Sequence, residues 1–397
     1  MKRFLDFRRF VQSNTFLCDI FFKVGRLLIS ASDNPNGYIN GLGEEKEGRR
    51  YFRQILPDDY DVKCDTDRIS EYFAKFGFRV PKYYSEAYEK WSGIKSDRYM
   101  SKDLYYCYVI PALNDMRQSY ALTDKNGFSN LFHGVLQPRT IVRNRNGLWY
   151  LEECMVDEEL VVEAILSERE VIVKPSLGSE CGRGVGLFRI GSRNDVMTIF
   201  TDYKKDFIVQ GRVSQHLLMS KLNATSINTV RLYTYRDIHR QCHVIDECSI
   251  VRIGGKGAII DNVSSGGGCC AINPDGVISD RFLHEKTFSV ISLRECTGVK
   301  EIVIPDYENI KRFALQCHSY LPYFDLIGWD IAVTESGKPL LLEFNTTPFC
   351  EGPQMTHGPM FGRFVDEIMQ RVCGVKRSVI ISNCRTFPNG YVLTGVY

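Results

Sequence analysis

Two acidic residues and an asparagine in the last quarter of the chain have the spacing of metal ligands. The segment LIGWDIAVTESGKPLLLEFN (326–345) predicts two antiparallel strands joined by a two-residue turn at Ser336 and Gly337, because glycine in the second position favours a tight hairpin turn. Side chains alternate between the faces of a strand. In this register Asp330 lies directly opposite Glu343 on one face, with Asn345 two residues further along. The other face is apolar and carries the pairs Val333–Leu340, Ile331–Leu342 and Trp329–Phe344.

Two carboxylates in this position require a cation. Directly opposed residues have Cβ atoms about 4.5–5.5 Å apart, so two negative charges there repel each other unless a positive charge lies between them. Oxygen ligands from few protein residues suit Mg²⁺, which keeps waters and takes further ligands from substrate phosphates. The sequence therefore predicts a Mg²⁺ site at Asp330, Glu343 and Asn345. A solvated hairpin on which two acids happen to align is the alternative that this motif alone leaves open.

A second motif has the composition of a phosphate-binding loop. The segment VIVKPSLGSECGRGVGLFRI (171–190) predicts a strand, a glycine-rich loop and a second strand, with Lys174 at the end of the first strand. The backbone N–H groups of Gly178, Ser179, Gly182 and Gly184 can approach phosphate oxygens closely. A P-loop and a dinucleotide-binding fingerprint both need a helix after the glycines, and a protein kinase has its lysine after them. A glycine-rich hairpin without a ligand remains the alternative.

The pattern of apolar residues divides the chain into four parts. Residues 1–103 predict a small helical region rich in aromatic residues, and residues 104–204 predict mixed helices and strands around the glycine-rich loop. Residues 205–373 predict mainly strands and include the metal hairpin, and residues 374–397 are an unassigned tail. A β-hairpin turn is predicted at Asn146 and Gly147.

Composition excludes several classes of protein. The chain has 50 basic and 48 acidic residues, a net charge of +2, which predicts no nucleic-acid partner. No apolar run reaches the roughly 20 residues that a transmembrane helix needs. The 14 cysteines contain no CxxC pair, which indicates reduced thiols and a cytoplasmic location.

Six motifs in order give the chain a resemblance to the ATP-grasp superfamily, and more narrowly to the sugar-transfer-associated ATP-grasp proteins found with capsular and surface polysaccharide genes. The resemblance covers about residues 100–372. It implies an α+β fold of the ATP-grasp kind, in which two α+β lobes enclose ATP, here preceded by a small helical region instead of the usual α/β domain. The motifs are TDKNGFSNLF, VIVKPSLGSECGRGVG, IVQGRVSQH, SINTVRLYTYRD, VRIGGKGAIIDNVSSGGG and GWDIAV…LLEFN.

The resemblance also implies roles for individual residues. Arg231 and Lys174 would be catalytic, and the Mg²⁺ ligands would again be Asp330, Glu343 and Asn345. Residues 209–213 would form the hinge between the lobes, where backbone groups would pair with adenine. Many family members have glutamate in place of Gln210, which leaves the role of that side chain open. The residues expected to bind ATP are Lys125, Lys174, Ser179, Gly182, Gly184, Gln210, Gly211, Val213 and Asn228.

The reaction that the resemblance implies is an ATP-dependent ligation. A carboxylate would be activated as an acyl phosphate, with ATP cleaved to ADP, and then transferred to an amine or another nucleophile. The substrate would be a small molecule or linked to a saccharide, and the chain would act in surface or capsular polysaccharide biosynthesis, in peripheral association with that machinery. The alternatives are a kinase-like phosphotransfer to a hydroxyl group and a non-catalytic nucleotide-binding scaffold in a polysaccharide assembly complex.

Overall fold

The computed structural model describes residues 69–374, apart from residues 79, 179–181, 256, 258–265, 285–286 and 300. Most of the predicted N-terminal region (1–68) and the tail from residue 375 lie outside the described residues. The described helices are α1 Glu71–Ala74, α2 Tyr83–Ser92, α3 Lys102–Leu104, α4 Ile110–Leu113, α5 Met116–Leu122, α6 Phe128–Leu131, α7 Glu158–Leu166, α8 Arg193–Tyr203, α9 Leu217–Ser220, α10 Leu293–Thr297, α11 Tyr307–Ser319, α12 Glu351–His357 and α13 Val365–Gly374. None of them combines the length and the hydropathy that crossing a membrane requires.

The described strands form two antiparallel sheets. The first has six strands in the order β3-β2-β1-β6-β4-β5, and the second has the order β12-β11-β10-β9-β7-β13-β14 with β8 added beside β7. The strands are β1 Thr140–Arg145, β2 Leu148–Leu151, β3 Cys154–Val156, β4 Glu170–Pro175, β5 Gly186–Arg189, β6 Phe207–Gly211, β7 Thr229–Arg236, β8 Cys242–Val244, β9 Ile250–Ile253, β10 Gly268–Ala271, β11 Arg281–His284, β12 Ser289–Ser292, β13 Leu326–Val333 and β14 Pro339–Asn345.

The six-stranded sheet and helices α7 and α8 form the first lobe. The predicted turn at Asn146 and Gly147 is confirmed, because Arg145 pairs with Leu148 and both turn residues have positive φ. Apolar residues of β1, β4 and β6 pack against α7 and α8 in one core. β6 lies between β1 and β4, since its apolar run completes this core. The first lobe therefore extends through residue 211, beyond the expected boundary after residue 204.

The eight-stranded sheet is covered on both faces. One face packs against α11 and the aromatic residues of α6, and the other packs against the N-terminal helices and α13. Every residue of β7 and β13 is consequently buried. A polar side chain on these two strands must find its partners within the protein.

The helices before residue 123 pack against the eight-stranded sheet, although residues 104–204 were expected to form one lobe. Tyr105, Ile110 and Leu113 share a core with Tyr233 and Leu326 of that sheet. The aromatic residues of this segment determine the placement, because burying them against β7 and β13 removes a large apolar area from water.

Asn114 joins this helical segment to both strands of the metal hairpin. Its side-chain amide donates to the carbonyl oxygens of Leu326 and Thr346, at 2.7 and 2.6 Å. Its side-chain oxygen accepts from the N–H groups of Asp325 and Leu326, both at 2.9 Å. The buried amide therefore fixes the start of β13 and the residue that follows β14.

The loop of the β13–β14 hairpin is one residue longer than predicted. Gly337 has a φ of +79° and donates its N–H to the carbonyl oxygen of Thr334 at 2.8 Å. This is a three-residue loop, 335–337, that ends in a left-handed glycine. Two predicted pairs are wrong as a result, because Val333 faces Pro339 and Ile331 faces Leu341.

A β-bulge restores the predicted register further along the hairpin. The pairing shifts by one residue between Asp330 and Ile331, where Leu342 is the extra residue on β14. Beyond the bulge the predicted pairs Asp330–Glu343 and Trp329–Phe344 are confirmed. The bulge thus compensates for the longer loop before the polar residues are reached.

Candidate active site

Asp330 lies between two polar residues on neighbouring strands. It is opposite Arg231 of β7 on one side and opposite Glu343 of β14 on the other. Directly opposed residues point to the same face of a sheet. The sheet therefore brings together three residues that the sequence analysis selected from two separate motifs.

Arg231 and Asp330 form a buried ion pair. Arg231 Nε donates to Asp330 Oδ1, and an Nη donates to Oδ2 at 2.7 Å. The side chains of Arg231 and Asp330 are each only 7% exposed. The forked guanidinium matches the two carboxylate oxygens, which gives a stronger contact than one hydrogen bond. Arg231 therefore already serves as the counter-ion of a predicted metal ligand.

Arg252 of β9 brings a further positive charge to Asp330. Its Nη1 atom lies 3.6 Å from Asp330 Oδ2. Burial raises the pKa of the Asp330 carboxyl, but the charges of Arg231 and Arg252 offset this and hold the pKa below its usual value. Asp330 is therefore ionised at neutral pH. Arg252 was not among the predicted site residues, and its one sequence signal was a charge within the otherwise apolar strand IVRI.

Lys125 forms an ion pair with the second acid. Its Nζ donates to Glu343 Oε1 at 2.9 Å. The Lys125 side chain is 8% exposed and that of Glu343 is 34% exposed, so the lysine is buried and the acid is partly open to solvent. The backbone N–H of Lys125 donates to the carbonyl oxygen of Ser176 at 3.0 Å. This bond joins the Lys125 turn to the end of β4, the strand that carries Lys174.

Asn345 completes the predicted donor set. It lies opposite Gly328, two residues along β14 from Glu343. Its side-chain nitrogen is buried, and a hydrogen bond from the Asn345 side chain helps to lower the pKa of the Asp330 carboxyl. No group of three or more His, Cys, Asp and Glu side chains in that part could hold a metal. Two carboxylates and one amide fit Mg²⁺, because this ion fills its remaining positions with water and phosphate oxygens.

The first lobe presents Lys174 and Gln210 on one face of its sheet. Lys174 is opposite Ile208 of β6, and Gln210 is opposite Ile172 of β4. Residues two apart on a strand share a face, so both polar side chains lie on the same side. Their predicted ATP contacts remain predictions.

The glycine-rich loop needs glycine at its described positions. Gly182 and Gly184 have φ values of +68° and +73°, which other residues rarely adopt. A Cβ atom at Gly184 would also lie 2.8 Å from Cγ of Pro175. Ser179, another predicted ATP-binding residue, lies outside the described residues.

The chain passes from the first lobe to the second at the tip of the metal hairpin. The N–H of Gly211 donates to the carbonyl oxygen of Arg139 at 2.8 Å, and the N–H of Glu335 donates to that of Ser214 at 3.0 Å. An open cavity of about 860 Å³ lies here, lined by both lobes and by Gly211 and Val213. The predicted adenine contacts of these two residues remain predictions, and at Gly211 the N–H is already engaged.

Asn228 is fully buried at the entrance to β7. Its side-chain nitrogen donates to Gln215 Oε1 at 3.0 Å, to the carbonyl oxygen of Met219 at 2.9 Å and to that of Asn223 at 2.8 Å. These bonds tie the start of β7 to the segment that follows the hinge. The predicted contact of Asn228 with ATP remains a prediction.

Solved structures resemble the chain only distantly. The ATP-grasp ligase PsnB complexed with minimal precursor has a TM-score of 0.39 and 15% identity over 65% of this chain and 63% of that one. The VanG D-Ala:D-Ser ligase from Enterococcus faecalis has a TM-score of 0.39 and 15% identity, over 66% and 64%. The D-cycloserine synthetase DcsG has a TM-score of 0.37 and 16% identity, over 66% and 72%. The match thus spans less than two thirds of the PsnB chain.

Sequence comparison gives the more specific result. No curated protein matches the chain. Residues 107–369 match the family model described as sugar-transfer associated ATP-grasp, and this range contains both described sheets and all the site residues named above. The chain therefore belongs to the sugar-transfer associated ATP-grasp family.

Proposed function

We propose that the chain binds ATP and Mg²⁺ between its two sheets and activates a carboxylate as an acyl phosphate, with ATP cleaved to ADP. The observation that supports this most directly is the meeting of three cations, Lys125, Arg231 and Arg252, with the opposed acids Asp330 and Glu343. Positioning and charge neutralisation account for most of the catalysis in phosphoryl transfer. This cluster supplies both.

Some residues of the site would bind the phosphates, and others would bind the metal. Lys125, Arg231 and Arg252 offset the negative charge of the phosphates, and Lys174 adds a further charge from the first lobe. Glu343 and Asn345, with Asp330, would hold Mg²⁺, which when bound withdraws electron density from the phosphate oxygens. Asn228 positions β7, and with it Arg231. No side chain needs to act as a general base in this scheme.

The biological role is part of the same proposal. The family description associates the chain with sugar transfer, which supports a substrate that is a small molecule or is linked to a saccharide, and a role in surface or capsular polysaccharide biosynthesis. A cytoplasmic location is supported by the free cysteines of the described residues, among them Cys248, Cys317 and Cys350.

The products of the reaction test this proposal. With Mg²⁺, hydroxylamine and a panel of sugar acids and amino acids, we expect ADP and phosphate together with a hydroxamate, because hydroxylamine traps an acyl phosphate. Product chromatography and a colorimetric hydroxamate assay measure both, and a Lys174→Met variant controls for contaminating activity. Stoichiometric AMP and pyrophosphate would contradict the proposal. ADP with a phosphorylated hydroxyl and no hydroxamate would instead support the kinase-like alternative.

A further inference from the structure

Each of the two acids predicted to bind the metal forms an ion pair with a basic side chain in this structure. Arg231 occupies both oxygens of Asp330, and Lys125 occupies one oxygen of Glu343. The side chains of Arg231, Asp330 and Lys125 are each less than 10% exposed. Contacts of this kind are far less weakened by water and salt than ion pairs on the surface.

The charges of the described residues disfavour a metal ion that arrives alone. Arg231, Arg252 and Lys125 give three positive charges, and Asp330 and Glu343 give two negative charges. A divalent cation entering by itself would raise the net charge of this buried cluster from one positive unit to three. It would also have to separate Arg231 from Asp330 and Lys125 from Glu343, and these two cations would then lose the negative charges that offset them.

A nucleotide changes this balance, because its phosphates bring negative charge and oxygen acceptors. A guanidinium binds phosphate oxygens in the same forked manner as a carboxylate, and a lysine binds them as a point charge. The Lys125 turn is hydrogen-bonded to Ser176, at the start of the glycine-rich loop. Lys125 therefore lies beside the end of β4, where that loop begins.

We propose that Arg231 and Lys125 act as exchangeable counter-ions, so that the site takes up a divalent cation only together with a nucleotide. Before nucleotide binds, the two cations neutralise Asp330 and Glu343. When nucleotide binds, they move to the phosphates and release the acids to the metal. This inference rests on the proposed function, since it assumes that nucleotide phosphates reach this cluster.

Binding of Mn²⁺ to the nucleotide-free protein tests the exchange. Electron paramagnetic resonance of free Mn²⁺ gives the binding constant for the wild type and for Lys125→Met, and Lys338→Met is the control because Lys338 is an exposed lysine of the same hairpin. We expect the wild type and the control to bind Mn²⁺ weakly. Lys125→Met, which releases Glu343, should bind it about tenfold more tightly or better, a change of about 1.4 kcal/mol.

Two outcomes separate the exchange from the proposed function. If the wild type binds Mn²⁺ without nucleotide as tightly as Lys125→Met does, the exchange is wrong. Calorimetry of ADP binding to the wild type, with and without Mn²⁺, tests the proposed function separately, because Mn²⁺ should tighten ADP binding. Circular dichroism shows whether Lys125→Met is folded. If it is not, Lys125→Gln replaces it in the Mn²⁺ titration. Tight Mn²⁺ binding by the nucleotide-free wild type would overturn the exchange in either case.

Discussion

Glu343→Gln is expected to slow ATP cleavage by about 10²-fold or more while the protein stays folded. The substitution removes a charge but little volume, and the glutamine oxygen can still accept the hydrogen bond from Lys125. The Glu343 side chain is 34% exposed, so the change costs little in folding. In the reaction, the lost carboxylate would have held the metal against the phosphates, and losing one electrostatic contact of this kind costs about 10²–10³ in rate.

ADP formation at saturating Mg²⁺ measures this effect, and urea unfolding confirms that the variant is folded. Glu295→Gln is the matched control, because it removes the same charge from an exposed position on α10, which carries none of the site residues. Near-normal ATP turnover in Glu343→Gln would show that Glu343 is not a metal ligand.

Asp330→Asn is expected to affect stability as well as activity. Asp330 is buried and is the counter-ion of both Arg231 and Arg252. An asparagine carries no negative charge, so Asp330 would no longer offset the buried positive charges of Arg231 and Arg252. Breaking a buried ion pair from one side costs about 3–5 kcal/mol, and we expect the free energy of unfolding to fall by about this amount.

Urea unfolding followed by tryptophan fluorescence measures the loss, since Trp329 lies next to Asp330 on β13. The double variant Arg231→Gln with Asp330→Asn should recover part of the stability, because it removes one of the uncompensated charges. A loss no larger than that of Glu343→Gln would show that the Arg231–Asp330 pair contributes little to the fold.

The polar face of the metal hairpin could be predicted from the sequence, but its turn could not. Apolar residues alternate with Asp330, Glu343 and Asn345, so a one-residue slip would turn these polar side chains to the apolar face of the hairpin. This requirement fixed the pairing near the site. The loop length depends on the backbone conformation of Gly337, which the sequence does not specify. The bulge at Leu342 cannot be recognised from the sequence, because Leu342 stands in a run of apolar residues. The longer loop and the bulge shift the pairing in opposite directions, so the predicted pair Asp330–Glu343 is confirmed.

Residues that meet through long-range pairing were harder to predict. Arg252 reaches Asp330 because β9 lies beside β7, and no local spacing reveals that order of strands. The strand of residues 207–211 was likewise grouped with the second lobe, although it completes the first. Local periodicity identified most of the elements, whereas their partners depend on which apolar surfaces they cover.

The placement of the metal and the nucleotide is the central claim, and one diffraction experiment tests it most directly. Crystals grown with Mn²⁺ and the non-hydrolysable analogue AMPPNP would give an anomalous peak at the metal. We expect that peak about 2–2.3 Å from oxygen atoms of Asp330, Glu343, Asn345 and the nucleotide phosphates, as for an ion held by carboxylates and phosphates. We also expect Lys125 and Arg231 to contact the phosphates. A metal bound to nucleotide away from this hairpin, with Arg231 still on Asp330 and Lys125 still on Glu343, would contradict the claim.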